Sequence, residues 1–331
     1  MTANFKTISV LWRLIFSLVI ATIVSCGSSE SSIQTRGADT KAGLTVTDGT
    51  NVEVALEKPA ERIICLDITC TDILAELDIE PIAVVKGMEA WVREPHLFGE
   101  RAKEFALIGA AGLLEPNLEQ IVQLQPDLVI GIAAHQKSRE ALKGAVSFYL
   151  LNLPNSYTEA IANLKSVGKL TGKTAEAEAA AQRFLDKLAA YKAKSPNNQT
   201  VLLIHRPQPN FLVATDRALN CATLNEVANC LSPEKEDTIT FIGYLPFSLE
   251  RLVQLDPDVI FISSGARDNY AEFIDYYEDN PLWDSLRAVK NRRVYGASAS
   301  RLFAPGTRGL GRLLDKTMPK IYPDVFPESE S

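Results

Sequence analysis

The chain has 331 residues, 46% of them hydrophobic and 23% charged, an ordinary globular composition large enough for two lobes. Its net charge of −7 and isoelectric point near 5.2 argue against a nucleic-acid partner, because phosphate binding needs a basic face. Small anions remain open to it at a local basic cluster.

Lys6 and Arg13 precede an apolar run from Leu14 to Val24, interrupted only by Ser17 and Thr22. That run is far short of the ~20 residues a membrane-spanning helix needs and has the form of a secretory leader. It ends in Ile23-Val24-Ser25-Cys26, which resembles a bacterial lipobox. Residues 1–25 read as a lipoprotein leader. Residues 26–43, opening with "CGSSESS", read as the lipidated Cys26 and a polar tether. The chain is expected to be exported and held on the periplasmic or outer surface of a membrane.

Leu44 to Val54 alternates around Asp48-Gly49, a hairpin pattern. "RIICL" at 62–66 reads as a buried strand, followed by a helix from Asp72 to Leu77 capped by Thr69 or Thr71. "PIAVV" at 81–85 and "VSFYLLNL" at 146–153 are further strands. Short apolar strands alternating with helices indicate a parallel α/β sheet. Thr174 to Lys194 has no Gly or Pro, and its apolar residues fall at Ala177, Ala181, Phe184, Leu188 and Tyr191, the spacing of an amphipathic helix. Alternation resumes with "VLLIH" at 201–205 and runs on through "VIFIS" and "RVYGA". The organisation is therefore a lobe over 44–172, a linking helix over 173–195, a second lobe over 196–324 ending in a helix, and an acidic tail over 325–331.

Setting Cys26 aside leaves Cys65, Cys70, Cys221 and Cys230. An even number in an oxidising compartment suggests disulfides with three open connectivities, of which nearest-neighbour pairing is the simplest. Buried free thiols are the alternative. The spacings fit a zinc site poorly.

"NLEQIVQLQPDLVIG" at 117–131 returns as "SLERLVQLDPDVIFI" at 248–262; from Leu118 to Ile130, seven of thirteen positions match at an offset of 131. Asn117 and Ser248 are N-cap residues, and Pro126 and Pro257 end the short helices. Each copy carries a glutamate, Glu119 and Glu250. A carboxylate in a helix's first turn is favoured by the macrodipole alone, so the position by itself has a plain structural explanation.

The repeat, together with "PAERIICLDITCTDILAELDIEPIAVV" at 59–85, "NPLWDSLRAVKNRRVYGAS" at 281–299 and the long intervening helix, resembles the bacterial substrate-binding proteins of ABC importers that take up ferric siderophores, haem and cobalamin. The resemblance runs from about Val46 to Tyr322. It implies an α/β fold of two Rossmann-like lobes joined by a single long backbone helix, with the ligand cleft between them. It implies that Glu119 and Glu250, one on each lobe, dock onto basic residues of the two permease subunits.

Ligand residues are expected on loops at strand ends facing the cleft. That selects Trp91, Arg93 and His135 in the first lobe, and His205, Arg206, Tyr244, Arg267, Arg301 and Arg308 in the second. Several arginines in one cleft suit an anionic ligand, since guanidinium binds carboxylate bidentately and stays charged. The cargo expected is a ferric siderophore of net negative charge, with iron held by the chelator, no direct protein–metal bond and no resident cofactor. Arg206 is the strongest candidate. Where siderophore-binding relatives often show Trp, this chain has Arg301. Haem or cobalamin is the alternative cargo, with His135 or His205 as a haem ligand; His96, His135 and His205 all read as loop residues. An extracytoplasmic enzyme is the distant alternative. It lacks a G-x-S-x-G elbow and a phosphate loop, and "GTRGLG" at 306–311 reads as the start of the last helix. The chain is expected to act as a monomer.

Overall fold

In the computed structural model, residues 43–112, 114–205, 211–233, 243–264, 270–277, 279–298 and 305–327 are described. The elements begin with the hairpin β1 (Leu44–Thr47) and β2 (Glu53–Leu56), paired antiparallel with Leu44 opposite Leu56. Asp48 closes its turn by accepting from the Thr50 and Val52 amides, and Arg139 pairs with the same carboxylate at 2.7 Å.

The first lobe continues with β3 (Ile63–Cys65), α1 (Ile68–Glu76), β4 (Ala83–Val85), α2 (Glu89–Val92), β5 (Ala106–Ile108), the small pair β6 (Ala110–Gly112) and β7 (Glu115–Pro116), α3 (Leu118–Gln123), β8 (Leu128–Ile132), α4 (Gln136–Ala141), β9 (Phe148–Leu151) and α5 (Tyr157–Leu170). Its sheet has the order β5-β4-β3-β8-β9 and every pairing in it is parallel. Buried on both faces, β3, β4, β8 and β9 are continuous apolar runs.

α6 (Thr174–Lys194) then crosses to the second lobe. Ala177, Ala180 and Ala181 pack into the first lobe's core, while Phe184 and Leu188 pack into the second's. One helix thus belongs to both cores, and at 1.5 Å per residue it is roughly 30 Å long.

The second lobe holds β10 (Thr200–His205), β11 (Phe211–Ala214), α7 (Leu219–Leu224), β12 (Asn229–Cys230), β13 (Tyr244–Phe247), α8 (Leu249–Leu255), β14 (Val259–Ser264), α9 (Tyr270–Tyr277), α10 (Pro281–Ser285), α11 (Arg287–Lys290), β15 (Val294–Ser298) and α12 (Thr307–Ile321). Its strand order is β13-β11-β10-β14-β15, with β12 also on β10. This sheet is mixed, not purely parallel as the alternation suggested, because β11 runs antiparallel to both β10 and β13.

The repeat has a shared geometry. Asn117 and Ser248 cap α3 and α8 by accepting from the Gln120 and Arg251 amides. Asp127 and Asp258 start the following strands and accept backbone N–H groups from the neighbouring strand's beginning, at Glu61 and Arg62 in one lobe and at Thr200 in the other.

Candidate functional site

β3 runs into Asp67, whose Oδ1 accepts from the Thr69 amide at 2.8 Å and caps α1. The helix therefore starts at Ile68, four residues before the Asp72 start expected from the sequence, and its cap is Asp67 rather than Thr69 or Thr71. The Thr71 hydroxyl is spent inside the helix, donating to the Ile68 carbonyl. Cys65 at the strand end is bridged to Cys70 in the helix's first turn, and Cys221 to Cys230, with Cα separations of 5.6 and 5.5 Å. Trp91 Nε1 donates to Thr71 Oγ1 at 3.1 Å, so the half-buried indole is fixed against α1. Arg93, two residues on, is exposed.

His135 follows the end of β8 and is buried. Its Nδ1 lies 3.1 Å from the Ile132 amide. An amide can only donate, so Nδ1 accepts and the neutral ring carries its proton on Nε2. Burial lowers the imidazole's pKa, against the pull of Asp67, and keeps it neutral. Gly131 makes room for this fold-back: a Cβ there would lie 2.9 Å from Nδ1. Nε2 has no hydrogen-bond partner among the described residues. It carries the ring's N–H and is itself buried.

In the second lobe His205 is the last residue of β10, not a loop residue, and its Nδ1 lies 2.8 Å from Ser263 Oγ at the end of β14. The Tyr244 ring stands edge-on behind it at 5.8 Å. Tyr244 is itself buried. Its hydroxyl accepts from Asn220 Nδ2 at 2.8 Å, and burial pushes its pKa up to about 12. Tyr244 thus backs His205 from within the core. Cys26, Arg206, Arg267 and Arg301 lie outside the described residues.

The two lobes touch where α1 packs on the N-terminus of α12. Asp72 of α1 is buried and accepts from the Gly309 amide at 3.0 Å, supplying from one lobe an N-terminal contact for the last helix of the other. Gly306 is required here, since a Cβ would stand 2.4 Å from Asp72 Oδ2. Burial, with Glu76 nearby, pushes the carboxyl's pKa up to about 7, against the opposing pull of Arg308 and the Gly309 amide. Arg308 Nε donates to the His96 carbonyl at 2.7 Å, and its Nη1 lies 3.3 Å from Glu76, which also holds Arg183. Arg308 was selected from sequence as a ligand residue; here it ties the lobes together. Sequence reading passed over Asp72 and Glu76; the only signal for Asp72 was a charge beside Ile73 and Leu74 in an otherwise apolar turn.

Glu119 and Glu250 are exposed in the first turns of α3 and α8. Neither is in an ion pair among the described residues. No group of three or more His, Cys, Asp and Glu able to hold a metal ion occurs among the described residues.

Residues 63–300 match the profile of the periplasmic binding proteins. The chain belongs to that family. Among curated relatives of this periplasmic binding protein is YhfQ of Bacillus subtilis (strain 168), provisionally named an ABC transporter substrate-binding lipoprotein. It is 28% identical, over 92% of this chain and 97% of the relative. The Fe(3+)-citrate-binding protein YfmC of the same organism is 26% identical, over 89% of this chain and 90% of its own length. In fold, this periplasmic binding protein matches the crystal structure of the triscatecholate siderophore binding protein FeuA from Bacillus subtilis complexed with ferri-bacillibactin. The TM-score is 0.68 at 19% identity, covering 84% of this chain and 97% of FeuA.

Proposed function

We propose that this protein captures a ferric siderophore of net negative charge and delivers it to the permease dimer of an ABC importer. The observation that carries the reading is the joining of two α/β lobes by one helix shared by both cores, with α1 of the first packed on the start of α12 in the second. His135 follows β8, His205 ends β10 and Trp91 is held against α1, and these three are proposed as cargo contacts. The ferric-citrate-binding relative YfmC supports an iron–chelate cargo, and YhfQ supports a lipoprotein anchored through Cys26 on the outer side of a membrane. Iron arrives inside its chelator, so no protein–metal bond and no resident cofactor are required. Arg93, Arg206, Arg267 and Arg301 supply the cationic lining, and Glu119 and Glu250 face the permease. The protein acts as a monomer, and capture involves no turnover of the cargo.

The test is a tryptophan-fluorescence titration of the mature chain with ferric citrate, hydroxamate and catecholate chelates, haem and cobalamin. Saturable quenching by one ferric chelate is the expected result. Binding of haem or cobalamin alone would replace the cargo. Binding of nothing in the panel would overturn the reading.

A further inference from the structure

The two copies of the repeat put the same side chain in unlike surroundings. Val122 of α3 and Val253 of α8 match at the offset of 131, each about one turn beyond a glutamate, Glu119 or Glu250. Val253 is partly buried against the second-lobe cluster that holds Tyr277, Trp283 and Leu286, where α10 packs on α8. The first lobe supplies no such cover, and Val122 is 43% exposed. Residues three apart on a helix share a face, so the bare valine stands beside the Glu119 carboxylate.

In the second lobe the covering layer has an apolar outer surface of its own. Tyr277 and Trp283 stack at 5.3 Å, and the residue before each, Tyr276 and Leu282, is 55% and 39% exposed. Burial, Tyr276 and Glu250 together raise the Tyr277 pKa, which puts the Glu250 carboxylate beside this stack. Each lobe thus presents an exposed apolar group next to an exposed carboxylate. Both surroundings are acidic. α3 carries no cation, and Glu115 just before it is exposed. Arg62 reaches only the far end of α3, donating to the Leu124 and Gln125 carbonyls. Around α8 and α10, Glu250, Asp275, Asp279 and Asp284 are exposed. Of the cations there, Arg251 lies over the Phe247 ring, Arg287 is held by Asp256 and Asp258, and Lys290 donates to the Ser285 carbonyl.

We infer that Val122 in one lobe, and Leu282 with Tyr276 in the other, are the apolar contacts by which the chain seats on the paired membrane subunits of its importer. The inference rests on the delivery to a permease proposed above and not on the identity of the cargo. Exposed carboxylates select a basic partner and set its orientation, but exposed charge adds little affinity. Apolar surface removed from water supplies that affinity. The second lobe shows what suits a valine beside this glutamate, since α10 brings a helix and the Trp283 ring to α8. The occupant is therefore an apolar, helical element flanked by basic residues, presented once to each lobe. The two seats are unlike. In the first lobe the partner reaches the repeat helix itself, and in the second it meets the layer already laid over that helix.

The experiment places a photo-reactive benzophenone amino acid in turn at Val122, Leu282, Val52 and Leu185 of the full chain in cells. Val52 and Leu185 are exposed aliphatic residues elsewhere, on the first hairpin and on α6. Irradiation should join positions 122 and 282 to a transmembrane subunit of an ABC importer, identified by mass spectrometry, and should not join positions 52 and 185 to one. Import is then measured with ferric citrate, or with the chelate of the panel above that binds. Val122→Ser should lower import from a limiting supply about tenfold, by the same factor at low and high salt. Tyr276→Ser with Leu282→Ser should do likewise, and Val52→Ser with Leu185→Ser should leave import unchanged. The dissociation constant for the chelate should be unaltered in every variant, and melting temperatures confirm that each is folded. No adduct, adducts with soluble proteins only, or equal adducts at all four positions would overturn the inference. So would a loss of import that high salt abolishes, which would leave docking to charge alone. Adducts at 122 and 282 in a chain that binds no ferric chelate remove the proposed cargo alone. Chelate bound and imported normally by Val122→Ser and by the Tyr276 and Leu282 variant removes this inference alone.

Discussion

Asp72 and Gly309 are 237 residues apart in sequence and are joined by a 3.0 Å hydrogen bond that crosses from one lobe to the other. The carboxylate is buried and its pKa is raised from 3.8 to about 7. An acid whose folded pKa lies above its unfolded value holds its proton while the unfolded chain releases it. Its contribution to stability therefore falls as pH rises from about 4 to 7 and is constant above that. The shift corresponds to about 4 kcal/mol as an upper bound. Asp72→Asn preserves the shape and removes the titration. The expected outcome is that the variant gains stability over the wild type between pH 5 and pH 8, read as the difference of their urea midpoints. A difference that does not change with pH would contradict this assignment.

What was legible in the sequence follows from how local its cause is. α6 was readable end to end because its apolar stripe and its lack of Gly and Pro are properties of the segment itself. The repeat was readable for the same reason: cap, helix, Pro-Asp and strand occupy one short stretch in each lobe. β11 and β13 were not foreseen. Their apolar runs are short, Pro246 interrupts one of them, and pairing makes them strands, β11 on β10 and β13 on β11. The seam was invisible because Asp72 acquires its character from Gly306, Arg308 and Gly309, more than 230 positions away. Arg308 looked like a loop arginine facing a ligand for the same reason.

Asp127 and Asp258 are equivalent in the repeat but not in environment. The Glu61 amide, with that of Arg62, holds Asp127 below the usual carboxylate range on an exposed edge. Burial works against ionisation of Asp258, but the Thr200 amide and hydroxyl and the Arg287 guanidinium outweigh it and hold its pKa low. Removing an acceptor costs more where water cannot replace it. Asp127→Ala should lose about 1 kcal/mol and Asp258→Ala about 2–3 kcal/mol. Both pKa values are depressed, so these contributions are present above about pH 4 and disappear as pH falls through the folded values. Urea melts at pH 7 and pH 3 test this; the opposite order of losses at pH 7 would refute it.

Trp91 should be the optical reporter of cargo. Its indole is half-buried and tied to Thr71. Trp283 is buried in the second core and stacked on Tyr277 at 5.3 Å. Ligand-induced fluorescence change should vanish in Trp91→Phe and persist in Trp283→Phe. Trp91→Phe should also lose about 1 kcal/mol for the hydrogen bond. Persistence of the signal in Trp91→Phe would place the cargo away from α1.

Glu119 and Glu250 present the reverse of Asp72: exposed carboxylates in helix first turns, without an ion pair among the described residues. Glu250's pKa is lowered by its own amide and by the Ser248 hydroxyl, so it is charged at any physiological pH. Each meets the fold only through the solvent-screened first turn of a short helix, so reversing them leaves the body intact. Exposed charges of this kind govern encounter and orientation with a partner rather than affinity for a buried ligand. Glu119→Lys and Glu250→Lys should each slow import and steepen its response to salt. The double variant should abolish import while its dissociation constant for the ferric chelate stays within twofold to threefold of wild type. Because one glutamate stands on each lobe, either single variant should retain part of the activity. Full import by the double variant, or chelate binding lost along with import, would remove both residues from the docking face.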